Sequence, residues 1–137
     1  MSLEKFGTVS YTKESRVNDF VKHLEEGKVM ATKCKECGRI SFPPRADCVD
    51  CMSKDFEWKE LKRKGKLLTY TIAQFAPTGF ENEAPYVLAL VELEEGLHML
   101  AHMSKNVKPE EIKIGMDLKV VPVKRPDGRV TITFEKA

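Results

Sequence analysis

Cys34, Cys37, Cys48 and Cys51 are the only cysteines in a chain of 137 residues, and all stand in the stretch CKECGRISFPPRADCVDC. Thiols this close together can form disulfides, carry redox chemistry or hold a metal ion. Their spacing favours the metal. Two Cys-x2-Cys pairs separated by ten residues give two tight turns, each aiming two sulfurs at one ion, with a loop bringing the turns together. The spacer is shorter than the commonest zinc-ribbon range of roughly 15–20 residues, so a compact ribbon is expected. Gly38 follows the first pair, where a residue without Cβ relieves the turn. Met52 follows the second, which lacks that glycine. Zinc is the expected ion, with a single iron as the alternative, since a tetrahedron of thiolates suits both. Four protein ligands leave no open position for an activated water, so the expected role is structural.

Other candidate chemistry is sparse. No cysteine lies outside the cluster to serve as a nucleophile. His98 and His102 lie in LHMLAHM, which reads as a strand. Positions four apart in a strand are separated by about 13 Å, so the two cannot share an ion and are expected to be polar positions on a strand face. His23 falls within a helix and is expected at its surface or edge.

The elements that must position the cysteines follow from periodicity. Residues 13–28, KESRVNDFVKHLEEGK, place Val17, Phe20, Val21 and Leu24 on one helical face, with Ser15 as N-cap and Gly27 as stop. KVMATK, RISF and FEWKEL read as short ribbon strands, and Pro43 and Pro44 force an extended path between the two cysteine turns. From residue 65 onward strand follows strand. KLLTYTIAQFAP is the first, and PYVLALVELEEGLHMLAHM is a hairpin turning at Glu94-Glu95-Gly96. KPEEIKIG is a short helical turn opened by Pro109 and closed by Gly115, and DLKVVPVKR with RVTITFE is a hairpin around Pro126-Asp127-Gly128. Five strands with a short helix between the third and fourth predict an OB-fold barrel. The expected fold class is mainly β. An N-terminal helical segment (1–30), a zinc ribbon (31–62) and a five-stranded OB-fold (63–137) should join near Trp58–Gly65 and fold as one body.

Composition bounds the function. With 42% hydrophobic and 32% charged residues, the chain reads as a soluble globular protein. No apolar run approaches the roughly 20 residues needed to span a bilayer. MSLEKFGTVSYTKESRV has no apolar signal core, so a cytoplasmic location and no membrane association are expected. The formal charge of +2 would fall near neutral on forming a four-thiolate zinc site, which argues against a dedicated nucleic-acid binder.

Taken together, LEEGK, CKECGRISFPPR, CVDC, FEWKEL, GKLLTYT, PYVLALVELEEG and IKIGMDLKV resemble the domain-of-unknown-function-35 family over residues 13–134. The resemblance implies a rubredoxin-like zinc ribbon followed by an OB-fold, with Cys34, Cys37, Cys48 and Cys51 as zinc ligands. It also implies an accessory subunit of a thiolase-like enzyme, or a bridge between acetoacetyl-CoA thiolase and hydroxymethylglutaryl-CoA synthase that helps hold an acyl-CoA. No catalytic residue is carried over. The chain departs from the family in its second turn, where Cys-Val-Asp-Cys stands in place of the frequent Cys-Pro-x-Cys.

Two uses compete for the remaining residues. An acyl-CoA presents phosphates that Lys62, Arg63, Lys64 and Lys66, or Arg39 and Arg45, could meet. The loop FAPTGFENEAPY, with Phe75, Phe80 and Tyr86, offers a surface for a partner or the pantetheine arm. The alternative is single-stranded nucleic acid, tracked by the same basic run and stacked on the same three aromatics.

Overall fold

The computed structural model describes residues 5–7 and 15–137. One helix, α1 (Asp19–Glu25), precedes two β-structures. The first is a three-stranded antiparallel sheet of β1 (Met30–Cys34), β2 (Ile40–Ser41) and β3 (Phe56–Glu60) in the order β2-β1-β3. The second is a closed barrel of β4 (Lys64–Ala73), β5 (Tyr86–Leu93), β6 (His98–Met103), β7 (Asp117–Lys124) and β8 (Val130–Lys136). Its order, β4-β5-β6-β8-β7, and the parallel pairing of β6 with β8 are those of an OB-fold.

The strands form where alternation predicts them. Along β5, Val87, Ala89, Val91 and Leu93 are buried while the residues between them are not. Leu118 and Val120 on β7 and Val130, Ile132 and Phe134 on β8 repeat the pattern. A bulge at Leu68 interrupts the β4–β5 register between Leu67 and Thr69, which adds the bend a small barrel needs. In the β7–β8 turn, Gly128 takes φ +84° and donates to the Arg125 carbonyl at 3.0 Å. The segment KPEEIKIG supplies only a 3-10 turn, Pro109–Glu111.

The helix is shorter than its periodicity predicts. Residues 13 and 14 lie outside the described residues, and Asn18, not Ser15, occupies the N-cap. The Ser15 hydroxyl instead accepts from the Val17 N–H at 3.3 Å, a local turn that competes with helix. At the other end Gly27 behaves as predicted. At φ +83° its N–H reaches the Leu24 carbonyl while the Lys28 N–H reaches that of His23, which is a Schellman closure.

A single apolar cluster holds these parts together. Phe20, Val21 and Leu24 of α1, Val29, Ala31 and Leu61 of the sheet region, and the barrel interior around Leu67, Val91, Leu118 and Phe134 belong to it. Phe20 also meets Phe6 and Phe42, with ring centroids 5.3 and 5.8 Å away. Among the described residues no helix is long and apolar enough to cross a membrane.

Candidate functional site

The two cysteine turns have the same backbone pattern. In the first, the Gly38 N–H donates to the Cys34 carbonyl and the Cys34 N–H to the Arg39 carbonyl, at 3.0 and 2.8 Å. In the second, the Met52 N–H donates to the Cys48 carbonyl and the Cys48 N–H to the Ser53 carbonyl, at 3.1 and 2.9 Å. Gly38 and Met52 occupy equivalent left-handed positions, with φ +79° and +63°. Met52 thus fills a place that favours glycine, and its side chain is exposed.

All four sulfurs lie within 4.8 Å of one another and form a metal-binding group. Cys34–Cys51 and Cys37–Cys48 are each 3.5 Å apart, far beyond a disulfide length of about 2.05 Å. Tetrahedral zinc with Zn–S of about 2.3 Å requires sulfur separations of about 3.8 Å, so the donor set fits. Electrostatics prepare it unevenly. Backbone hydrogen bonds from Cys37 and, more weakly, Glu36 hold the Cys34 thiol at about 6 against the opposing effect of burial. Backbone bonds of Cys51 and Asp50 lower Cys48 in the same way. For Cys51 the Ser53 backbone lowers the value, but the Cys34 thiol, burial and the other two sulfurs outweigh it, and the group is pushed up to about 12. Four thiolates this close require a cation among them.

The basic residues singled out from sequence do not converge. Arg39 pairs with Asp50 at 2.7 Å, tying the first cysteine turn to the second. The Arg45 backbone N–H satisfies the buried Thr32 hydroxyl at 2.9 Å. Arg63 reaches the Gly27 carbonyl at 3.1 Å, and Lys66 pairs with Asp117 at 2.8 Å. Lys62 and Lys64 are exposed, as is Phe75, at 91%. None of these residues lines the large cleft that Phe80 and Tyr86 help to form.

That cleft encloses about 960 Å³, near the upper end of the roughly 300–1,000 Å³ usual for small-molecule sites. Its walls come from Phe20 of α1, Phe42 and Pro43 between the cysteine pairs, the loop carrying Phe80, the end of β6 and the β7–β8 turn. Lys105 and Lys124 are cations of its lining outside the basic run. Within it, Glu83 pairs with Arg125 Nη1 at 2.6 Å and lies 3.6 Å from His102 Nδ1. The His102 ring stacks on Tyr86, 4.6 Å between centroids and 11° between planes, and leans on Phe80 at 5.6 Å. Burial, aided by the Arg125 charge, lowers the His102 pKa below its ordinary value despite the opposing Glu83 carboxylate.

His102 is the strand position expected, on β6, and its contacts with Glu83, Tyr86 and Phe80 are added by the fold; Glu83 and Arg125 carry no sequence signal of their own. The long loop containing Phe80 was the available clue.

Comparison with known proteins matches residues 21–57 to the description "ChsH2, rubredoxin-like zinc ribbon domain" and residues 58–123 to "ChsH2, C-terminal OB-fold domain". The chain is similar to a "DUF35 domain-containing scaffold protein" of Pyrococcus furiosus, 42% identical over 80% of this chain and 79% of the relative. It is also similar to "Benzoylsuccinyl-CoA thiolase subunit BbsA" of Geobacter metallireducens, 27% identical over 76% and 69% of the two chains. The solved structure "Ltp2-ChsH2(DUF35) aldolase" superposes with a TM-score of 0.75 at 26% identity, covering 90% of this chain and 97% of the other.

Proposed function

The chain belongs to the DUF35 family, and from that premise we propose that it is a non-catalytic accessory subunit that binds a thiolase-type enzyme and helps hold an acyl-CoA. An association with thiolase- or aldolase-type enzymes is supported by relatives named as a scaffold protein and as a thiolase subunit, and by the aldolase structure. A bridge between acetoacetyl-CoA thiolase and hydroxymethylglutaryl-CoA synthase is the specific form proposed. The ion in the cysteine group is proposed to be zinc, a choice supported by the donor set and the match to a zinc ribbon. Residues 31–62 serve as the metal module and 63–137 as the binding barrel.

The observation that carries the ligand half is the cleft, large and mostly apolar, with Phe80 and Tyr86 in its wall and Lys105 and Lys124 among its lining. An acyl-pantetheine arm suits such a wall, and the two lysines suit its phosphates. The exposed residues outside the cleft, Arg45, Lys62, Lys64 and Phe75, are assigned to the partner face. The benefit of such a subunit is effective concentration: an intermediate held between two enzymes meets the second without dilution.

Affinity capture of the tagged chain from its native host, with partners identified by mass spectrometry, tests the partner half. A thiolase-type enzyme at stoichiometric yield is expected. A nuclease-sensitive complex without such an enzyme would overturn the assignment. Alanine at Phe80 or Tyr86 should weaken acyl-CoA binding by the captured complex while metal content stays unchanged, and unaltered binding would remove the ligand assignment.

A further inference from the structure

The cleft contains a cation whose partner comes from a loop. Arg125 lies beside the β7–β8 turn, with its backbone N–H bonded to the Arg129 carbonyl at 2.7 Å. His102 lies on β6, where its carbonyl accepts from the Thr133 hydroxyl of β8 at 2.9 Å. Glu83 instead belongs to the irregular connection between β4 and β5. It can withdraw without breaking a barrel hydrogen bond.

Its hold on the two basic groups is incomplete. Glu83 Oε1 takes Arg125 Nη1 at 2.6 Å, while Oε2 stands 3.6 Å from His102 Nδ1, beyond ordinary hydrogen-bond length. Arg125 Nε is buried and has no hydrogen-bond partner among the described residues. A carboxylate bound side-on to a guanidinium uses the parallel Nε–H and Nη2–H groups, and Glu83 sits on Nη1, so it leaves the Nε–H of that side-on edge unused. The other charged groups in the lining are Lys105, Lys124 and Glu135, which together with Arg125 and Glu83 leave an excess of positive charge.

We propose that Arg125 and His102 form a carboxylate seat, occupied in this structure by Glu83 as an internal ligand, and that a carboxylate on an apolar chain entering the cleft competes with Glu83 for it. The charge meets Arg125 through the unused Nε, and the chain lies against Phe80 and Tyr86, whose rings already flank His102. The ligand class is a monocarboxylate with an apolar body, whether a free acid or the far end of a carboxylated acyl thioester. This seat stands on the cleft geometry alone and holds or fails independently of partner binding.

The test is calorimetric titration of the metal-loaded full chain with hexanoate and with hexanol. Glu83→Gln removes the internal competitor, so hexanoate binding should tighten by at least about tenfold, the value of one charged hydrogen bond, while hexanol is unaffected. In E83Q/R125Q the gain should vanish. Hydrogen exchange of the unaltered chain gives a readout that needs no variant: the amides of residues 80–83 should exchange faster with saturating hexanoate and not with hexanol. Glutaryl-N-acetylcysteamine and its neutral counterpart butyryl-N-acetylcysteamine separate the two sources, since tighter binding of the first assigns the seat to an acyl-borne carboxylate and preference for hexanoate assigns it to a free acid. Equal hexanoate affinity in wild type and E83Q, an equal gain for hexanol, or no hexanoate binding to any form overturns the proposal.

Discussion

Replacing Gly65 by alanine places one methyl group where the barrel closes. Gly65 pairs with Leu93 of β5 on one side and Leu118 of β7 on the other. A Cβ built there would overlap the Glu92 carbonyl oxygen and lie 2.7 Å from Val91 Cγ1 and 3.0 Å from the Glu92 carbonyl carbon. Val91 is fully buried, and the Glu92 carbonyl is main chain in a closed ring of strands, so neither can give way without moving β5. Overpacking of this kind costs about 1–3 kcal/mol, and contact with backbone puts the value near the top of that range. Removing a glycine from a strand returns about 0.5–1 kcal/mol, which leaves a net loss of about 2 kcal/mol. With an unfolding entropy of about 2.1 cal/mol/K per residue, that corresponds to a fall of about 7 °C in Tm. Scanning calorimetry of the metal-loaded chain reads it directly, with a urea titration to check that the slope is unchanged. A Tm within about 2 °C of the wild type would mean that β5 moves freely past β4 and would refute the close approach.

Cys48→Ala should abolish stoichiometric metal in native mass spectrometry. A four-thiolate site supplies about 10–16 kcal/mol of coupled folding energy, so removing one ligand should cost on the order of several kcal/mol and markedly lower Tm; full metal retention would exclude Cys48 as a ligand. Because the folded His102 pKa lies below its ordinary 6.5, the unfolded chain takes up the proton first as pH falls. The His102 contribution to stability is therefore complete above 6.5, declines below it and is lost as pH passes the folded midpoint. Histidine NMR should place that midpoint below 6.5, and Glu83→Gln should depress it further; an upward movement would contradict the arrangement. Arg39→Gln should change stability by no more than about 1 kcal/mol, since the Arg39–Asp50 pair is about half exposed, and a larger loss in chemical denaturation would show that the pair braces the metal centre.

The cysteine spacing and the strand alternation were legible because each is local. Cys34-x2-Cys37 closes one turn by itself, and Val87 through Leu93 announce their inward face without reference to any other strand. The helix start was misjudged because a hydroxyl two residues from Val17 supplies a bond that periodicity does not register. The Glu83, His102 and Arg125 cluster was illegible for a different reason. It joins a loop, a strand end and a turn that meet only once β6 has paired with both β5 and β8, and no spacing along the chain encodes that meeting. The lysine run is a stretch of sequence whose members the fold disperses. Arg63 and Lys66, adjacent in charge pattern, are engaged by Gly27 and Asp117 in different parts of the fold.

Phe42 and Pro43 lie in the spacer between the two cysteine pairs, and the same two residues form part of the cleft wall. Phe42 is kept there by Phe20 on one flank and, through the chain on either side, by the sulfurs that gather the pairs. The cysteine group and the cleft are thereby mechanically linked: whatever loosens the two cysteine turns reaches the cleft wall through Phe42 and Pro43. Disturbance at the sulfurs is therefore expected to be felt in the cavity some residues away, without any of the barrel strands being its carrier.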